Sequence, residues 1–122
     1  MMTTIVDTDS LAALLDCGDS TVVAALLDQM MSDFARLHDQ GVLLMASLGP
    51  EADTDFSVLR RLAHEAKGLA LTIGAHKLTQ ICIKAEALAQ AGDREALAGC
   101  WADMIGLCSD ARVELAQNRM RV

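Results

Sequence analysis

Residues 93–115 read DREALAGCWADMIGLCSDARVEL. Leu97, Cys100, Trp101, Met104, Cys108, Ala111 and Leu115 recur there at steps of three and four. Such steps bring a side chain back to the same side of an α-helix at every turn. The stretch therefore predicts a helix with one apolar stripe, capped at its start by Asp93. Upstream, Gly92 separates it from a stretch that begins near Gly74 and runs to about Ala91, with Leu78, Ile81, Cys82, Ala85, Leu88 and Ala89 as its apolar face. A further helix is expected from Asp53 or Asp55, either of which can cap it, to near Gly74.

Before that, a helix is expected from about Ser20 to near Leu48, with Val23, Leu26, Leu27, Met30, Phe34 and Leu37 at helical spacing. Gly41 leaves a bend or a break open within it. Gly49-Pro50 stops it, because proline and the residue before it both resist helical continuation. A short helix from about Ser10 to Asp16 completes the reading, with Asp7, Thr8 and Asp9 as cap candidates and Gly18 at its end. Long amphipathic helices joined by short loops run as antiparallel neighbours, and each stripe is buried only in a shared core. The expected fold is all-α: an antiparallel four-helix bundle with a short extra N-terminal helix, residues 1–122 forming one domain.

Composition agrees. Of the 122 residues, 52% are apolar, dominated by Leu and Ala, while aromatic residues are reduced to Trp101, Phe34 and Phe56. Ala and Leu are strong helix formers, whereas strands favour β-branched and aromatic side chains. The formal net charge of −7 repels a polyanion, so nucleic acid is not an expected partner. No apolar run approaches the roughly 18 residues of a membrane span, and Met1 to Asp9 has no signal-peptide character. A cytoplasmic protein without membrane contact is expected, and the few large exposed apolar residues favour a monomer. In that compartment Cys17, Cys82, Cys100 and Cys108 are expected as reduced thiols, the last three as small hydrophobes on apolar faces.

The segment from Phe56 to Ile73 carries the chemistry. With about 100° of rotation per residue, Leu59, Leu62, Ala66, Leu69, Ala70 and Ile73 gather on the core side. His64 points almost directly away from them, with Arg60, Arg61, Lys67, Gly68 and Leu71 around it. Lys67 at i+3 shares its face, where the ammonium group can meet an anion attached to the imidazole. Gly68, mid-helix, costs about 1 kcal/mol relative to Ala, and clearance for an approaching protein is a physical reason for it. Leu71 is an apolar side chain on the exposed face. These features alone leave an ordinary surface histidine and a functional one both open.

The run from Ala63 to Ala75, AHEAKGLALTIGA, resembles the signature of the histidine phosphotransfer (HPt) family, roughly A-H-x-L-K-G-x-A-x-x-x-G-A. The resemblance continues through Leu78, Cys82, Glu86 and Gly92-Asp93, with Phe34 at the aromatic position of the preceding helix, and spans about residues 8 to 115. Leu69 stands where the family usually has a small residue, and Ala66 and Ala85 where it tends to have Leu. The resemblance implies that His64 is the phosphoacceptor, Lys67 the phosphate-stabilising cation and Gly68 the residue that admits the partner. Arg60, Arg61 and Leu71 are candidates for the docking surface. It further implies a phosphoryl relay between receiver-domain aspartates, with response-regulator receivers and a hybrid histidine kinase as partners. The chain would need no cofactor, Mg²⁺ being carried by the receiver, and would act as a transfer intermediate without turnover of its own.

Other chemistry fits less well. A di-metal carboxylate bundle needs Glu-x-x-His, which the chain lacks, and His64-Glu65 fails as a zinc-protease motif because residue 68 is Gly. His38 and His76 are not at ligand spacing from other ligand-type residues and read as ordinary polar side chains. The alternative is an HPt-like interaction or dimerisation bundle that binds a kinase or receiver without being phosphorylated.

Overall fold

The computed structural model describes residues 20–120. Four helices make up most of it: α1 (Ser20–Leu44), α2 (Phe56–Thr72), α3 (His76–Ala91) and α4 (Arg94–Arg119), with a 3₁₀ turn at Met45–Leu48 after α1. The described residues include no strand. The most extensive packing is α2 on α3 and α1 on α4, and the α3–α4 and α1–α2 contacts close the bundle. The short helix expected at residues 10–16 lies outside the described residues, as does Cys17.

Local chemistry sets the joints. Asp55, not Asp53, caps α2: its carboxylate accepts from the Ser57 backbone N–H at 3.1 Å and the Ser57 hydroxyl at 2.6 Å. Those bonds, the hydroxyl's first, hold the Asp55 carboxyl below its usual range. The α2–α3 and α3–α4 joints share one design. Gly74 and Gly92 adopt left-handed backbone at φ 67° and 70°, which only glycine takes without strain. The next N–H then reaches back to a carbonyl five residues earlier, Ala75 to Ala70 at 2.9 Å and Asp93 to Leu88 at 3.0 Å. Asp93 goes on to cap α4 through the Ala96 N–H. Thr54 donates to the Ser47 carbonyl and Arg94 to that of Ala52, pinning the one longer connection.

The core is the expected set of stripes, led by Trp101, Phe34, Leu27, Leu37, Leu59, Leu78, Leu97, Met104 and Leu115, all fully buried. Gly41 does not break α1, which runs through it to Leu44. Instead it lets α4 come close: a Cβ there would lie 2.9 Å from Ile105 Cγ1, and the Trp101 indole N–H donates to the Gly41 carbonyl at 2.9 Å. The α-helix ends at Leu44, and the stretch to Leu48 tightens to 3₁₀, where Ser47 donates back to the Leu44 carbonyl. Leu26, placed on the apolar stripe by its spacing, is exposed because the bundle covers only the centre of that arc. Leu69 is half-buried against the core. Cys82, Cys100 and Cys108 are free, buried thiols, and burial pushes Cys82 and Cys108 up to about 12.

Candidate functional site

Ala63 and Ala66 are fully buried on either side of His64 in sequence, so the helix orientation is fixed from below and His64 is turned outward. Its side chain is 68% exposed. Across the α2–α3 seam, Glu86 reaches it from α3, with His64 Nδ1 and Glu86 Oε1 3.0 Å apart. A carboxylate can only accept, so this bond calls for a proton on Nδ1, and in a neutral imidazole the lone pair is then on Nε2. The other carboxylate oxygen, Oε2, takes Lys67 Nζ at 2.9 Å. Glu86 therefore ties the histidine and the lysine together. Its carboxyl is held below the usual value of 4.5, chiefly by the hydrogen bond from Lys67 and then by that from His64.

The predicted neighbours divide into groups. Lys67 lies beside His64 and is partly buried, its side chain 25% exposed. Gly68 has nothing within 4 Å of where a Cβ would stand, so the space over it is open. Leu71, one turn further, is 60% exposed, a large apolar side chain on the same face. Arg60 and Arg61 lie on the other side of His64. With Ser57, His64 and Glu86 they line a shallow cavity of about 310 Å³ that includes neither Lys67 nor Gly68. Glu65, adjacent to His64 in sequence, faces α1 and is held in a two-pronged pair by Arg36 at 2.9 and 3.0 Å.

Sequence reasoning marked Glu86 only as part of a spacing pattern and gave it no role. Its role depends on the register of α3 against α2, which spacing within one helix does not reveal. The opposite charges of Lys67 and Glu86 were the one available signal. Among the described residues, no three His, Cys, Asp or Glu side chains gather where they could hold a metal ion. No helix among them is long and apolar enough to cross a membrane.

The chain matches the Hpt domain family over residues 21–118. Among solved structures it is similar to a histidine-containing phosphotransfer protein from rice, at 19% identity and a TM-score of 0.73, over 95% of this chain and 80% of that one. It is also similar to one from maize, at 23% identity and a TM-score of 0.71, over 96% of this chain and 90% of that one. These likenesses concern the fold. No curated protein sequence matches it significantly.

Proposed function

Because the chain belongs to the Hpt domain family, we propose that it relays a phosphoryl group between aspartates of receiver domains through phosphohistidine at His64. Members of the family are phosphotransfer carriers of two-component signalling, not enzymes with turnover. The observation that carries the assignment to His64 is the placement of its ring: Nδ1 lies 3.0 Å from the Glu86 carboxylate, and the ring, 68% exposed, has Nε2 left for an incoming partner.

In the forward step the Nε2 lone pair forms a bond to phosphorus. The bond from phosphorus to the donor aspartate breaks, and its electron pair leaves on the aspartate carboxylate. The Nδ1 proton stays, shared with Glu86, and steadies the positive charge that develops on the ring. Phosphoryl transfer of this kind depends on positioning and charge neutralisation. The receiver would supply Mg²⁺; this chain supplies the nucleophile, with Lys67 adding positive charge nearby through the Glu86 carboxylate it shares with His64. Gly68 leaves room for the receiver's active site, and Leu71 gives it an apolar contact. The reverse of the same step hands the group to a second receiver. We place the protein in the cytosol as a monomer, fed by a hybrid histidine kinase.

The test is transfer from a labelled phospho-receiver to the wild type and to His64→Gln. Acid-labile, base-stable label on the wild type and none on the variant is expected. Label that survived on the variant would move the site to another residue.

A further inference from the structure

Lys67 is the cation that a spacing argument assigns to the phosphoryl group, yet Glu86 already holds it at 2.9 Å. Arg36, the cation at the α1 edge of the site, is likewise committed, to Glu65. Among the described residues, the Arg60 side chain makes no hydrogen bond or ion pair, and that of Arg61 has only the longer-range attraction of Asp55. Both are within one helical turn of His64, at i−4 and i−3, where side chains share a face.

Side chains on a helix lean toward its N-terminus, so the imidazole of His64 covers the turn that carries Arg60 and Arg61, not the turn that carries Lys67. The cavity beside the ring agrees. Its lining is Ser57, Arg60, Arg61, His64 and Glu86, and its volume of about 310 Å³ is ample for a tetrahedral oxyanion. Two guanidinium groups give it several donors, while the Ser57 hydroxyl is already donated to Asp55, and guanidinium is the side-chain group best shaped to hold phosphate oxygens in pairs. Glu86 is the one acidic wall, and its carboxylate is occupied by His64 Nδ1 and Lys67.

We propose that Arg60 and Arg61 form an anion pocket on the N-terminal side of His64 that receives the phosphoryl oxygens, while Lys67 acts mainly through Glu86. The proposal rests on His64 being the phosphoacceptor. It makes the two arginines groups that touch the transferred phosphoryl, not only parts of a docking surface.

Two measurements on the full chain test it. First, inorganic phosphate is titrated into ¹⁵N-labelled protein. Amide shifts are expected to cluster at residues 57–64 and to vanish in the double variant Arg60→Gln/Arg61→Gln. Second, the protein is phosphorylated with phosphoramidate, a small donor that loses ammonia and has no receiver surface, so docking cannot contribute. The double Gln variant is expected to gain phosphohistidine about tenfold more slowly than wild type, with Arg60→Lys/Arg61→Lys recovering much of the rate and circular dichroism unchanged in both. Phosphate shifts that persist in the Gln variant, or labelling at the wild-type rate, would overturn the pocket. A wild type that binds phosphate at residues 57–64 but takes no label from phosphoramidate supports the pocket and counts instead against His64 as phosphoacceptor.

Discussion

At the scale of single residues, two helical glycines stand in opposite surroundings. Gly41 is filled from α4 by Ile105 and Trp101, whereas Gly68 looks onto nothing within 4 Å. Gly68→Ala is therefore expected to raise stability by about 0.5–1 kcal/mol, because alanine loses less backbone freedom in a helix. The same variant is expected to slow phosphoryl transfer from a receiver, since on the proposed relay the methyl group stands where the partner approaches. Gly99→Ala is the control: its site in α4 is also open, so thermal unfolding should shift alike while transfer stays at the wild-type rate. Equal transfer rates in the two variants would mean that Gly68 has no part in access. The outward aim of His64 was legible in the sequence because rotation about one helix is a local property. Its hydrogen bond was not, because the partner lies 22 residues away on another helix.

Between elements, the decisive link is Glu86, which fastens α3 to two residues of α2. Its carboxyl is depressed in the folded protein, so its contribution is complete above the unfolded value of 4.5 and is lost as the pH falls through the lower folded value. The groups facing it are Lys67 and His64, and protonating Glu86 releases both. Glu86→Gln is expected to cost no more than about 1 kcal/mol at neutral pH, the range for a partly exposed pair. Thermal midpoints of the two proteins should converge as the pH is taken below 4.5. A gap that stayed constant into acid would show that shape, not charge, fastens the two helices. Helix positions and the joints at Gly74 and Gly92 could be read from spacing and turn chemistry. The register between helices could not, and with it went Arg36–Glu65, Lys67–Glu86 and the exposure of Leu26, all of which depend on which side of a stripe a neighbour covers.

For the whole molecule, the buried thiols report on the integrity of the bundle. Cys82, Cys100 and Cys108 all lie in the core, and burial raises all three thiols, Cys82 and Cys108 to about 12. Since the thiolate is the reactive form, a disulfide reagent added at neutral pH to a Cys17→Ser background should find no thiol in the folded protein and all three in denaturant. Fast reaction of one of them in the native state would point to an opening of α3 or α4. The all-α bundle itself was legible from four stripes and their short joints, since no other arrangement buries every stripe at once. The pairings also differ in the length of chain they enclose. His64 and Glu86 are 22 positions apart, Gly41 and Trp101 60, Asp28 and Arg119 91. Loop-closure entropy grows with the logarithm of that separation, so joining α1 to α4 near their far ends costs about 1.3 kcal/mol more than joining His64 to Glu86. The hairpin that holds His64 thus closes with less loss of freedom than the α1–α4 pairing, and in folding it has a head start over that pairing.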